Sequence, residues 1–264
     1  MIKLIATDMD GTFCDKNKKW SPEFNDVFYQ MKEKGILFCA ASGRQYMSLY
    51  NDFQPLSDDM LFIAENGGYV AYGKECLKTY AIERESVNAI IEKLSTIEDL
   101  MLIPCGVKSA YTLEKNRKYE YEVKKYYAAY EFINSYDDIE DEIIKIAIYD
   151  PEYKITRYLD QIKSYMTDDL KLVTSGFEWM DITFHTVHKG HGISIFLEKF
   201  NLTKDECAAF GDNMNDYELL TSVTHSYAME NAVQSIKDIA SEVIGHHNDY
   251  AVVTKIKEIL STNK

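Results

Sequence analysis

No run of about 18 or more apolar residues occurs in the 264-residue chain, so no segment reads as a membrane-spanning helix. Positive charge is scarce: 29 Lys and Arg stand against 43 Asp and Glu, a formal net charge of -14. Such a field repels phosphate backbones and anionic lipid headgroups, which argues against nucleic acid and membrane as partners. An anionic ligand would have to be held by a local cluster of cations and backbone N–H groups. Cysteine is sparse too: Cys14, Cys39, Cys76, Cys105 and Cys207 form no CxxC pair, and five cannot all pair within one chain. A reduced thiol set and a cytoplasmic location are therefore expected. The N-terminal apolar run is broken by Asp8, too early for the hydrophobic region of a signal peptide. Only four prolines interrupt the pattern, and repeats and low-complexity segments are lacking.

What is present is enough apolar sequence, 46% of the chain, for a large core. Short runs rich in Ile, Val and Phe ("KLIAT", "ILFCAA", "MLFIAE") alternate with helical patterns, one around residues 22–34 and one beginning near Ser42. The same alternation returns after residue 189. Strands apolar on both faces, alternating with helices, predict a parallel α/β sheet with helices on both faces. Between the halves the grammar changes to adjacent strand pairs, which suggests an antiparallel sheet with helices on one face. The expected organisation is thus a core domain of residues 1–83 and 185–264, interrupted by an α+β domain at 84–184.

In open α/β sheets ligands bind beyond the carboxyl ends of the strands, and four such places carry chemistry. Asp8-Met9-Asp10-Gly11-Thr12 ends the first strand. The fragment is an ordinary Asp-Gly turn by composition, yet two carboxylates at one buried strand end repel each other unless a cation or a proton intervenes. One could serve as an oxygen nucleophile and the other as a general acid. "AASGR", Ala40 to Arg44, closes a second strand; Ser42 could cap the next helix or join its N–H groups in a phosphate cradle. Lys189, in "HTVHKGHGI", stands where the sheet pattern resumes; a lone lysine is commonly just solvated, but an acidic protein needs a cation to hold a phosphate. His185, His188 and His191 recur every third residue, which suits neither a strand face nor a familiar zinc motif. "FGDNMND", residues 210–216, is either an Asx turn or an oxygen-rich site for Mg²⁺, completed by Asp8.

Taken together, the order DxDGT, SGR, Lys, GDxxND resembles the haloacid dehalogenase-like (HAD) phosphatases, and within them the Cof-type group, over nearly the whole chain. The resemblance implies a Rossmann-like core, an inserted cap that selects substrate, and a Mg²⁺-dependent phosphatase working through an aspartyl-phosphate. It implies Asp8 as nucleophile and Asp10 as the acid that protonates the leaving alcohol and then activates water. Ser42, with Gly43 beside it, and Lys189 match the phosphate binders. Asp212 matches the metal carboxylate, joined by Asp8 and the backbone carbonyl of Asp10. Asn215 would approach the phosphate, Asp216 would support the metal shell or Lys189, and Asn66 in "AENGG" would contact substrate. Glu230 in "AMENA" and the segment "NDYAV" depart from the usual pattern without touching these motifs.

The implied partner is a small phosphorylated metabolite, such as a sugar phosphate, nucleotide, flavin mononucleotide or pyridoxal phosphate, bound by a monomer or small homo-oligomer. Rival readings are a phosphomutase with the same intermediate and a non-hydrolytic phospho-aspartate switch. In the inserted domain Tyr119, Val123, Tyr126 and Tyr130 fall at 4-3-4 spacing, one helix face, which predicts domain core. Movement of that domain about linkers near 83 and 185 is expected to admit substrate and exclude water.

Overall fold

The computed structural model describes residues 1–262. In chain order its first part contains β1 (Leu4–Asp8), α1 (Phe24–Glu33), β2 (Leu37–Ala41), α2 (Tyr46–Asp52), β3 (Leu61–Ala64), β4 (Tyr69–Tyr72) and β5 (Glu75–Thr79). Next come α3 (Arg84–Leu94), β6 (Met101–Gly106), β7 (Ala110–Leu113), α4 (Glu120–Tyr126), β8 (Tyr130–Ile133), β9 (Ile143–Tyr149), α5 (Leu159–Lys163), β10 (Leu170–Ser175) and β11 (Trp179–Phe184). The last part contains α6 (Lys189–Lys199), β12 (Cys207–Gly211), α7 (Tyr217–Thr221), β13 (His225–Ala228), α8 (Gln234–Ile239), β14 (Glu242–Val243) and α9 (Ala251–Thr262). Two compact units result, Met1–Leu77 with His188–Lys264, and Lys78–Val187.

The first unit is built on a sheet in the order β14-β13-β12-β1-β2-β3-β4-β5. Pairing is parallel from β14 to β3 and reverses at the β3–β4 hairpin. β1 lies at its centre, and Leu4, Ile5, Ala6 and Thr7 are all fully buried, which is why this strand reads as an unbroken apolar run. Because β2 and β12 flank β1, the chain leaves the central strand to opposite sides. That switch opens a crevice at the carboxyl ends. Asp8 closes β1, Ser42 follows β2, Asn66 follows β3 and Asp212 follows β12.

The second unit has a six-stranded sheet, β10-β11-β9-β6-β7-β8. The expectation of a purely antiparallel sheet fails at one pair: β7 and β8 run parallel. The stretch between them, with α4, supplies the crossover that a parallel pair requires. Helices on one face only is likewise corrected. Ile90 and Leu94 of α3 and Ile162 of α5 pack with Leu102, Ile146, Ile148 and Met180 on one face, while Val123 of α4 packs with Met101, Ile103, Ala147 and Trp179 on the other. Tyr130 is not on a helix at all; it opens β8, because the chain turns extended at Tyr127. Of the predicted stripe, Val123 is buried and Tyr126 is exposed.

The unit boundaries lie at 77/78 and 187/188 rather than 83/84 and 184/185. Local bonds explain the shift. The Ile82 N–H donates to Ile143 O at 2.7 Å, the His185 N–H donates to Asp169 O at 2.8 Å, and Lys171 Nζ donates to Val187 O at 2.7 Å, so both margins belong to the second unit. Among the described residues no helix is long and apolar enough to cross a membrane.

Candidate active site

β1 delivers Asp8 into the buried end of the crevice, and the chain then turns back at once. The N–H groups of Phe13 and Cys14 donate to the carbonyls of Asp8 and Met9 at 3.2 and 2.9 Å. Gly11 sits at φ +85°, and a Cβ there would meet Asp212 Oδ2 at 2.5 Å, so conformation and space both require glycine. Thr12 Oγ1 donates to Asp212 Oδ1 at 3.0 Å, linking the first strand's loop to the loop after β12.

Lys189 begins α6 and is completely buried. Its Nζ donates to Asp8 Oδ1 at 2.5 Å and to Asp216 Oδ1 at 2.6 Å. The other oxygen of Asp216 accepts from the backbone N–H groups of Asp212 and Asn213, at 3.0 and 3.1 Å. One oxygen of Asp216 thus bonds Lys189 and the other shapes its own loop. Gly67, at φ +104°, lets the turn after β3 lie against the start of α6: a Cβ there would meet His188 O at 2.3 Å.

The charges explain the electrostatics. Burial pushes the Asp8 carboxyl up to about 8, the Asp216 carboxylate adds to the rise, and Lys189 opposes it. Burial also raises Asp212 to about 6, again with Asp216 contributing, while the Thr12 hydrogen bond works against it. For Lys189 burial alone would favour the neutral amine, but Asp216 and Asp8 outweigh it and hold the ammonium form well above the ordinary lysine range.

Asp8, Asp212 and Asp216 each offer an oxygen within 4.8 Å of the others. Three carboxylates against one ammonium leave a surplus of negative charge, and hard oxygens of this kind suit a small divalent cation. The residues thus fit a metal, which this group of Asp8, Asp212 and Asp216 would hold.

The remaining candidates form a neighbouring polar group. The Ser42 carbonyl accepts from the Asn66 N–H at 2.9 Å, a Cβ on Gly43 would come within 2.9 Å of Asn66 Nδ2, and Asn215 Nδ2 donates to Asn66 Oδ1 at 3.3 Å. The helix expected to begin near Ser42 starts instead at Tyr46, after an extended Gln45. Ser42 Oγ accepts from the Arg44 N–H at 3.2 Å, so the hydroxyl shapes a loop rather than capping α2. Asp10 stands apart from the buried cluster: its side chain is half exposed and is gripped by Arg44.

Arg44 closes the SGR motif, but the sequence alone assigns it no role. Two further contributors have no signal in the sequence. Asn231 is one: its Nδ2 donates to Gly11 O at 2.8 Å while its Oδ1 accepts from the His247 N–H at 3.2 Å. The other, His247, bonds through Nδ1 to Cys14 O at 2.8 Å. Together Asn231 and His247 brace the turn that carries both aspartates.

The chain matches the haloacid dehalogenase-like hydrolase family over residues 5–256. The 5-amino-6-(5-phospho-D-ribitylamino)uracil phosphatase YbjI of Escherichia coli is 32% identical to it, covering 98% of this chain and 96% of the relative. A solved protein of Streptococcus mutans superposes with a TM-score of 0.84 at 27% identity, over 99% of this chain and all of that one. A Thermotoga maritima structure shares the fold with a TM-score of 0.86 at 21% identity, over 98% of this chain and 97% of that one. The chain belongs to the haloacid dehalogenase-like hydrolases, and it is an enzyme of that family.

Proposed function

We propose that this hydrolase is a Mg²⁺-dependent phosphatase of small phosphomonoesters, acting through an aspartyl-phosphate on Asp8. The observation that carries the reading is the buried pairing of Lys189 with Asp8 and Asp216, beside Asp212, at the carboxyl end of the central strand. Burying an ammonium and two carboxylates is costly, and well-packed apolar residues would stabilise the fold as well or better. The arrangement makes sense as a seat for charge that arrives with a ligand. Bound Mg²⁺ would neutralise the surplus and draw charge from the phosphoryl oxygens.

Asp8 then attacks phosphorus with the carboxylate oxygen that does not hold Lys189. Lys189 favours the ionised form of that carboxylate against burial and Asp216, and orients it. Asp10 gives a proton to the departing alcohol and afterwards takes one from the water that splits the aspartyl-phosphate. Ser42, Gly43, Asn66 and Asn215 supply donors for the phosphate and the near part of the substrate. The inserted unit would select the rest of the molecule. The Escherichia coli relative is named for a phosphorylated ribitylamino-uracil, so that chemical class belongs in the assay beside sugar phosphates, nucleotides, flavin mononucleotide and pyridoxal phosphate.

The deciding experiment is inorganic phosphate release from such a panel, with Mg²⁺ and with chelator, for wild type and Asp8→Asn. Release that needs both Mg²⁺ and Asp8 is expected. Isomerised sugar phosphate without release would instead indicate a mutase, and a long-lived phosphorylated Asp8 without turnover a switch.

Metal binding has its own signature. Saturating Mg²⁺, at about 100 times its dissociation constant, should stabilise the protein by about 2.7 kcal/mol, a rise of several degrees in melting temperature. Asp212→Asn should lose that rise, yet without metal it should melt no lower than wild type, since it removes a mutually repelling carboxylate. Affinity should weaken as pH falls through about 8 and then about 6, because protons occupy Asp8 and Asp212 in place of the metal. Calorimetric scans with Mg²⁺ and with chelator test this; an undiminished Mg²⁺ shift in Asp212→Asn would rule Asp212 out as a holder.

A further inference from the structure

We infer that Arg44 is the positioning residue for Asp10, and that Asp52 braces Arg44 for this task. The inference rests on the reading of Asp10 as the proton carrier of the reaction. Arg44 Nε donates to Asp10 Oδ2 at 2.8 Å, and its Nη2 donates to Asp10 Oδ1. The third corner of the guanidinium, Nη1, donates to Asp52 Oδ2 at 3.1 Å. The main chain of Arg44 is fixed as well: its N–H donates to Ser42 Oγ at 3.2 Å and its carbonyl accepts from the Glu65 N–H at 3.0 Å.

The two partners differ in exposure. The Asp10 side chain is 50% exposed and that of Arg44 21%. A half-exposed aspartate on a turn swivels about two side-chain torsions unless something holds both oxygens. A planar guanidinium fork does so, fixing the carboxylate's place and the tilt of its plane; the point charge of a lysine cannot.

The pairing also matches one half of the reaction. In the first half Asp10 gives its proton to the ester oxygen as the P–O bond to the alcohol breaks and the bond from Asp8 to phosphorus forms. Asp10 is then a carboxylate, the form that pairs most strongly with the Arg44 fork through both oxygens. In the second half the oxygen of a water bonds to phosphorus, the bond to Asp8 breaks, and the water's proton goes to Asp10, releasing inorganic phosphate. Arg44 seats Asp10 for this second half.

The test is rapid mixing of the full chain and Mg²⁺ with p-nitrophenyl phosphate, whose leaving group needs no proton. Arg44→Ala should cut the steady rate by at least about tenfold and reveal a burst of p-nitrophenol approaching one per enzyme, with KM little changed. Arg44→Lys should recover part of the rate, and Asp52→Asn should show a smaller loss with the same burst. The double variant Arg44→Ala/Asp10→Asn should be no slower than Asp10→Asn alone. Losses that multiply, a loss confined to KM, or slowing without a burst would each overturn the assignment while leaving the phosphatase reading intact. Phosphate release that survives in Asp8→Asn would bring down that reading, and this inference with it.

Discussion

Lys189→Met is expected to be the most damaging single substitution in the first unit, costing about 3–5 kcal/mol of stability and abolishing phosphate release. The ammonium lies 2.5 Å from Asp8 and 2.6 Å from Asp216, and neither it nor Asp216 reaches solvent. Methionine fills most of the volume but supplies no charge. Two buried carboxylates would then face each other, and Asp216 already pushes Asp8 upward even with the lysine present. One of them would have to take up a proton, which removes either the charge of Asp8 or the bonds that shape the loop after β12. Adding Asp216→Asn to Lys189→Met should recover part of the loss, because one unpaired charge disappears. The pH dependence has a definite sign. Lys189 is held above its ordinary value, so its contribution is fully present below that value and fades only as pH rises through the still higher folded-state range. Urea titrations near neutral pH would measure the deficit. A Lys189→Met protein as stable as wild type would show that the buried triad is no stabilising unit.

How much of this was legible in the sequence depends on whether a residue's partners lie nearby in the chain. Asp8, Asp212 and Lys189 each have an ordinary local reading, as a turn, an Asx turn or a solvated lysine; they stand out only because the motifs that carry them follow in one order at the carboxyl ends of the strands. Their convergence follows from the strand order β12-β1-β2, which the structure supplies; the alternation of strands and helices implied only a parallel sheet. Arg44 closes the SGR motif, but its bond to Asp10 could not be seen there, because its partner is 34 residues away. Asn231 and His247 act on Gly11 and Cys14 from more than 200 positions along the chain, and nothing in "AMENA" or "HHNDY" announces that bond. The role of Ser42 as a helix cap failed for a local reason: the extended Gln45 delays α2 to Tyr46, and the hydroxyl turns to the Arg44 N–H instead. Spacing misled in the second unit too. The 4-3-4 run of Tyr119, Val123, Tyr126 and Tyr130 holds its helical phase only until Tyr127, where the backbone becomes extended and pairing with β7 takes over.

Asp10→Asn should slow hydrolysis of alkyl phosphates by about 10²–10⁴-fold, while p-nitrophenyl phosphate should lose far less in the step that expels the alcohol. An alkoxide is a poor leaving group and needs a proton as the ester bond breaks; p-nitrophenolate does not. The two aspartates are set apart by their surroundings. Asp8 is buried against Lys189, whereas Asp10 is half exposed and held by Arg44; under the proposed reading the first would face phosphorus and metal and the second would exchange protons with a leaving alcohol or a water. Asparagine keeps the shape of Asp10 but cannot carry a proton, and its amide nitrogen would face a guanidinium that only donates. Part of its effect therefore comes from lost positioning, and comparison with Arg44→Ala, which keeps the carboxylate, separates the two. The decisive quantity is the ratio of single-turnover rates on an alkyl and an aryl phosphate. A ratio that falls sharply in Asp10→Asn but moves little in Arg44→Ala would assign proton donation to Asp10 itself, with Arg44 acting later in the cycle. Equal losses on both substrates in Asp10→Asn would remove the acid role and leave Asp10 as a structural partner of Arg44.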